Sequence, residues 1–350
     1  MNIVRSYLCR VNNILDLKPV LHGPSKKFFI TTHHKPDGDA MGSSLGLYHY
    51  LKKLGHQPTV VTPNDYGSFL FFLPGEKSVI QYESDPQQAF SALKDCDYIF
   101  CLDFNRLSRI NELGDAVRAA QQPKIMIDHH LEPEDFAQFQ LHDSKAAATA
   151  ELIFQLMVLM GDLHLMDAEI GTCLYTGIMT DTGSFRFAST SAEIHRTIAF
   201  LKESGVDHVK IHEAINDSWS FRRLQFMGYV LANKLQYLPE KKTAYITITA
   251  QELLDYDVQT GDTEGLVNYA LSIEGVKFAA LMVDRTVMVK ISFRSKGTVP
   301  ANEFSAMHFK GGGHLNAAGG QSSESLEVTE RRFLEALENF YPQIIRDEKH

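Results

Sequence analysis

Thr31-Thr32-His33-His34-Lys35-Pro36-Asp37-Gly38-Asp39-Ala40-Met41-Gly42-Ser43 is the stretch around which the chain is organised. It follows the apolar run Phe28-Phe29-Ile30, which reads as a buried strand. It precedes a helical pattern through Leu45, Leu47, Tyr48, Leu51 and Leu54, which Gly55 ends. His33, Asp37 and Asp39 thus stand where a strand gives way to a helix, the edge at which open α/β sheets bind ligands. Pro36 and Gly38 punctuate the turn. One imidazole and two carboxylates on a sharply bent backbone suit a metal ion. Taken alone, the stretch also has a plainer reading, with Asp37-Gly38 an ordinary turn and Asp39 an ordinary helix N-cap. The rest of the chain decides between them.

The pattern recurs downstream. Asp97-Tyr98-Ile99-Phe100-Cys101-Leu102 reads as a buried strand and ends in Asp103-Phe104-Asn105-Arg106. Lys124-Ile125-Met126-Ile127 reads as another and ends in Asp128-His129-His130. Pro58 to Thr62 is a further strand, and Phe136 to His142 an edge strand. Helices are expected from about Ala147 to Met160, and from about Asp167 into Asp181-Thr182-Gly183-Ser184. Phe185 to Phe187 should leave that helix extended, and Thr190-Ser191-Ala192-Glu193 should cap the next one. Asn2 to Leu17 reads as an amphipathic helix. Strands alternating with helices predict an α/β fold with a parallel, doubly wound sheet. In such a sheet the acids that end different strands share one C-terminal edge and can converge there.

The pattern changes after residue 205. Val206 to about Glu240 reads as continuously helical, up to Pro239, and is expected to be a connector. A smaller α+β domain with antiparallel strands should follow. Its strands are expected at Lys242–Thr249, Phe278–Asp284 and Val287–Phe293, and its closing helix at Thr329–Ile345. The expected division is 1–205, 206–240 and 241–350. The second domain carries Arg294-Ser295 at a strand end and the run Gly311-Gly312-Gly313-His314. Glycines let backbone N–H groups approach an anion, Arg294 can fork onto a phosphate or stack on a base, and His314 can add a hydrogen bond. The plainer reading of the glycines is a tight turn and close packing.

Composition sets limits. The 350 residues, 44% of them hydrophobic, can bury two cores. A formal charge of −9 argues against a stable complex with long nucleic acid. It allows a short phosphorylated substrate, because divalent cations would reverse the local field. Cys9, Cys96, Cys101 and Cys173 form no C-x-x-C pair. No signal peptide and no membrane-length apolar run is visible, so a cytoplasmic, membrane-free protein is expected.

Taken together, the motifs resemble the DHH phosphoesterase superfamily, named for the triplet found here as Asp128-His129-His130. The resemblance spans His33-x-x-Pro36-Asp37-Gly38-Asp39-Ala40, Asp103, Asp128-His129-His130 and Asp181-Thr182-Gly183 in order, and Gly311-Gly312-Gly313-His314 resembles the DHH-associated C-terminal domain. Length and architecture look most like the nanoRNase and 3′-phosphoadenosine 5′-phosphate phosphatase group. The resemblance implies two divalent ions, manganese before magnesium or cobalt. It places the first on His33, Asp37 and Asp103, and the second on Asp39, Asp103, His129 and Asp181, with Asp103 shared. His130 would face the substrate and Asp128 would orient a ligand histidine. Arg294, Ser295, Gly311, Gly312, Gly313 and His314 would hold the substrate.

The function so implied is hydrolysis of short oligoribonucleotides to mononucleotides, removal of the 3′-phosphate of 3′-phosphoadenosine 5′-phosphate, or both. The substrate is expected at a cleft between the domains, and a homodimer is compatible with the family. Four enzyme or binding alternatives share parts of the pattern. A linear or cyclic dinucleotide phosphodiesterase would look most similar. A RecJ-like single-strand exonuclease would usually need more chain and a basic surface. A family II pyrophosphatase would not be expected to carry the Gly311–His314 motif. A nucleotide-binding regulator without catalysis would be favoured by degraded ligand positions, and none is degraded here.

Overall fold

A computed structural model describes residues 13–345. Most of the helix expected at Asn2–Leu17 lies outside the described residues, and its end, Ile14–Leu17, is a 3-10 turn. The chain forms two compact units that part between Ser218 and Trp219.

The first unit is built on six strands: β1 (Lys27–Thr32), β2 (Gln57–Thr62), β3 (Ile80–Gln81), β4 (Tyr98–Leu102), β5 (Lys124–Asp128) and β6 (Phe139–His142). Their order is β3-β2-β1-β4-β5-β6, and every pairing is parallel. This is the doubly wound α/β sheet that strand–helix alternation predicts. Beyond a single helical turn at Lys18–Leu21, the unit's helices are α1 (Gly38–Lys53), α2 (Pro86–Asp95), α3 (Asn111–Ala119), α4 (Thr149–Met160), α5 (Ala168–Asp181), α6 (Ala192–Glu203) and α7 (His208–Asn216).

Alternation along the strands sorts the core into two layers. Phe28, Ile30, Phe100, Leu102, Ile125 and Ile127 pack with apolar residues of α1, α4 and α5. Phe29, Ile99 and Cys101 face the other way, against Ala89 and Leu93 of α2 and Leu113 and Val117 of α3. Helices α1 and α5 touch backbone to backbone. A Cβ on Gly42 would lie 2.5 Å from the Cys173 carbonyl oxygen, and one on Gly177 would lie 2.7 Å from Asp39 Oδ1. That close approach sets Asp39, at the start of α1, beside α5, the helix that ends in Asp181.

The second unit holds α8 (Phe221–Asn233), β7 (Leu235–Leu238), β8 (Thr243–Ile248), α9 (Ala250–Asp255), α10 (Leu266–Ser272), β9 (Phe278–Asp284), β10 (Val289–Ser295), α11 (Ala301–Phe309), β11 (Gly312–His314), β12 (Ala317–Ser322) and α12 (Leu326–Ile345). The strand order is β11-β12-β10-β9-β8-β7. One sheet face packs phenylalanines 278, 293, 304, 309, 333 and 340. The other buries Ala279, Leu281 and Val283 against α8 and α10.

Four expectations need correction. The stretch 206–240 is not one helix: α7 ends at Asn216, Ser220 caps α8 by accepting from the Arg223 N–H, and β7 follows. The second sheet is not wholly antiparallel, because β8 and β9 pair in parallel across the crossover through α9 and α10. Phe185–Phe187 is not extended; Gly183, Ser184 and Phe185 turn through φ values of 57°, 58° and 65°. Ser191, not Thr190, caps α6, accepting from the Ile194 N–H, while Glu193 pairs with Arg196. No helix among the described residues is long and apolar enough to cross a membrane.

Candidate metal centre

The loop after β1 presents three of the predicted residues. Asp37 is the N-cap of α1: its Oδ1 accepts from the N–H groups of Asp39 and Ala40 at 3.0 Å each. Asp39, read on the plainer view as the cap, instead lies inside the first turn and is fully buried. Capping directs Asp37 Oδ1 to the helix, and Oδ2 lies 3.7 Å from His33 Nε2. The turn runs through Lys35 at φ 56°, a left-handed conformation in which the Cβ crowds the following carbonyl and costs energy. Asn64, fully buried, stabilises it by accepting from the Lys35 N–H at 2.7 Å.

Asp103 follows β4 with φ 62°, in the left-handed region that Asp and Asn tolerate better than most residues. Its two oxygens divide between the histidines: Oδ2 is 3.4 Å from His33 Nε2, and Oδ1 is 3.5 Å from His129 Nε2. His129, just past β5, also lies 3.4 Å from Asp181 Oδ2 and 3.9 Å from Asp39 Oδ2. His33, Asp37 and Asp103 form one group with donor atoms within 4.8 Å of one another, and Asp39, His129 and Asp181 form a second. All six predicted ligand positions thus converge at the C-terminal edge of the parallel sheet.

The histidines are oriented from behind. His33 Nδ1 lies 3.0 Å from the His34 carbonyl oxygen, and His129 Nδ1 lies 3.2 Å from that of Ala146. An N–H at each Nδ1 leaves Nε2 as the lone-pair donor on the acid side, the arrangement typical of metal-bound imidazole. His130 is held differently. Its Nδ1 is 2.7 Å from Asp128 Oδ1, and its backbone N–H donates to Asp128 Oδ2 at 3.2 Å. Asp128, fully buried, therefore orients His130.

The donor set fits divalent cations. An octahedral ion with bonds of about 2.1 Å holds neighbouring donors about 3.0 Å apart and opposite ones about 4.2 Å apart. Separations of 3.4 to 3.9 Å between the imidazole nitrogens and carboxylate oxygens fall in that window and are too long for good hydrogen bonds. Burial, reinforced by Asp103 and Asp181, raises Asp39 well above the carboxylate range. Burial and the nearby Asp37 push Asp181 up to about 8. Burial disfavours the charged form of His33, yet Asp103 and Asp37 outweigh it and raise the imidazole to about 10. His33, Asp39 and Asp181 are held toward their protonated forms while, against burial, the neighbouring histidines hold Asp37 and Asp103 low, the pattern of an acid cluster short of positive charge.

In the second unit, Arg294 and Ser295 end β10. The Ser295 hydroxyl is buried, donating to the Val299 carbonyl at 2.6 Å and accepting from Asn316 Nδ2 at 2.9 Å. These bonds hold a loop, so its observed role is structural. Gly312–His314 is β11, paired antiparallel with β12. A Cβ on Gly311 would lie 1.9 Å from the Gly319 carbonyl oxygen, while one on Gly312 would meet nothing within 4 Å. Packing accounts for the first glycine and leaves the second open. The residues missed from sequence were Asn64, the Ala146 carbonyl and Thr149, whose hydroxyl reaches Asp103. None belongs to a spacing pattern, and each acts from a segment remote in the chain.

The chain belongs to the DHH family: residues 27–178 match the DHH family N-terminal domain, and residues 241–342 match the DHHA1 domain. It is a divalent-metal-dependent phosphoesterase of that family. It is 34% identical to the bifunctional oligoribonuclease and PAP phosphatase NrnA of Thermus thermophilus, over 95% of this chain and 94% of that protein. The protein of the same name from Bacillus subtilis is 26% identical over 82% of this chain and 86% of its own. An exopolyphosphatase-related protein from Bacteroides fragilis superposes with a TM-score of 0.90 at 39% identity, covering 96% of this chain and 99% of that one.

Proposed function

We propose that the chain is a two-metal phosphohydrolase that degrades short oligoribonucleotides to mononucleotides and removes the 3′-phosphate of 3′-phosphoadenosine 5′-phosphate. The observation that carries this reading is the division of Asp103 between two donor groups, one oxygen toward His33 and the other toward His129. His33, Asp37 and Asp103 would hold one ion, and Asp39, Asp103, His129 and Asp181 the other. A mixed carboxylate and imidazole set without thiolate suits manganese, with magnesium or cobalt next. Two such ions would supply positive charge at the phosphoryl oxygens and acidify water at the site.

The chain's own groups do the remaining work. The Asp128 carboxylate fixes the His130 ring through Nδ1, which leaves Nε2 as the nitrogen free to meet the substrate, donating to a substrate oxygen when the ring is an imidazolium. His142 Nε2 lies 2.7 Å from the His130 carbonyl oxygen and steadies the same backbone. Arg294, the glycine run and His314 are the groups suited to a distal phosphate or base. Both reactions break the same kind of P–O bond and differ in whether the leaving group carries a further nucleotide. The similarity to two proteins named as bifunctional oligoribonuclease and PAP phosphatase supports the pairing.

The test is manganese-dependent hydrolysis across one panel: RNA of about two to five nucleotides, the adenosine bisphosphate, linear and cyclic dinucleotides, pyrophosphate and a long single strand. Each is run with wild type and Asp103→Asn. Rapid turnover of short RNA or the bisphosphate, absent in the variant, is expected. Preference for pyrophosphate, a cyclic dinucleotide or the long strand would overturn the substrate, and turnover by Asp103→Asn would overturn the site.

A further inference from the structure

We infer that Thr149 is the positioning residue for Asp103, holding its carboxylate so that each oxygen faces one donor group. The inference rests on the two-metal reading of the site. Thr149 opens α4 and is fully buried. Its hydroxyl donates to Asp103 Oδ1 at 2.9 Å, across 46 residues of sequence. Its backbone N–H donates to Asp39 Oδ2 at 2.5 Å, and the N–H of Ala150 donates to Asp39 Oδ1 at 2.8 Å. One residue therefore contacts a carboxylate of each donor group.

The arrangement is not the ordinary start of a helix. A threonine there would usually cap its own helix or bond a nearby carbonyl. Here Ala148 is the N-cap and offers no side-chain cap, and the first two orphan N–H groups of α4, those of Thr149 and Ala150, are satisfied by Asp39 of α1. The Thr149 hydroxyl is left to address Asp103 alone.

Asp103 needs such a partner. The terminal torsion of an aspartate is broad, so a carboxylate shared between two donor groups can swing. With Oδ1 anchored by Thr149, Oδ1 stays 3.5 Å from His129 Nε2 and Oδ2 stays 3.4 Å from His33 Nε2. Removing the hydroxyl frees that rotation without removing any ligand. Partners of this kind alter metal affinity by about 10- to 100-fold when lost.

The experiment is equilibrium Mn2+ binding to the full chain, counting unbound ion by its electron paramagnetic resonance signal. Thr149→Val keeps the shape and deletes the hydroxyl, Thr149→Ser keeps the hydroxyl, and Thr149→Ala replaces the valine variant if circular dichroism shows that one unfolded. Expected is a loss of about 10- to 100-fold in affinity for at least one ion in Thr149→Val, with Thr149→Ser close to wild type. In an Asp103→Asn background, Thr149→Val should cause no further loss, because it acts through that carboxylate. Wild-type affinity in folded Thr149→Val, or a serine variant as weak as the valine one, would overturn the inference alone. Failure of wild type to bind Mn2+ would overturn it together with the metal reading.

Discussion

The two units place functional candidates by opposite means. In the first, His33, Asp103, His129 and Asp181 come from four separate segments and meet because parallel strands end on one edge, with helix α5 closing over it. In the second, Gly311 to His314 is one contiguous run, and the hairpin it forms with β12 already explains Gly311. Convergence from distant segments is hard to explain by packing, since packing gains nothing from buried carboxylates set against one another. A contiguous glycine run has a packing explanation ready. The first unit's assignment thus rests on geometry, while the second unit's needs a measurement.

The widest separation between the two should appear in kinetics. Asp103→Asn keeps a residue that tolerates φ 62° and changes only the charge and one donor atom. It should lower kcat by about 10²- to 10³-fold on every substrate, the scale of losing a group that stabilises transition-state charge. It should also reduce bound manganese. Arg294→Ala and His314→Ala should leave manganese content at the wild-type level and change KM unevenly across the panel. Metal analysis beside steady-state kinetics checks both, and loss of metal in Arg294→Ala would erase the contrast.

A smaller effect separates the glycines of the second unit. Gly311→Ala forces a methyl against the Gly319 carbonyl and the Ser305 hydroxyl, 1.9 and 2.2 Å from the new Cβ. Thermal unfolding should show a loss of about 1–3 kcal/mol, the usual cost of overpacking. Gly312→Ala meets nothing within 4 Å and should stay within about 0.5 kcal/mol of wild type. If Gly312→Ala is fully stable yet binds the adenosine bisphosphate more weakly, the run approaches the ligand with its backbone. If binding is unchanged, Gly312 takes no part in holding the ligand, and packing at Gly311 is what this end of the run is for.

The same contrast explains what the sequence made legible. An apolar run followed by an acid or histidine marks a strand end directly, so β1, β4 and β5 and their terminal residues could be read. The break at Asp217–Ser220 was hidden because apolar periodicity resumes at once in α8; the serine that caps α8 was the available sign. Strand β7 was missed because it is short and at an edge, with Tyr237 48% exposed, so no alternation stands out. The parallel β8–β9 pair was foreseeable from the helical patterns at Ala250 to Tyr256 and Glu264 to Ile273 between the strands, which make a crossover and not a hairpin. Thr149 was not readable at all, because its partner is fixed only by the fold.

The least of these effects concerns a carboxylate whose circumstances reverse those of the metal centre. Asp39, fully buried, and Asp181, half-buried, sit among other acids and are held toward the protonated form. Glu252, in the second unit, is partly buried as well, but donors surround it. Tyr229 Oη lies 2.5 Å from Oε1, Lys234 Nζ lies 3.0 Å from it, and the Thr249 N–H donates to Oε2 at 2.8 Å. Burial opposes its charge, yet these donors outweigh burial and bring the carboxyl down to about 2. A depressed folded-state pKa gives stability that is present above the unfolded value of about 4.3 and is lost as pH falls through about 2. Glu252→Gln lacks the titrating group and should lose less stability than wild type across that interval. Acid titration of the second unit's unfolding, in both proteins, measures the difference. Parallel curves would mean that the donors around Glu252 hold the capping box of α9 equally well around a neutral side chain, and that charge contributes nothing there.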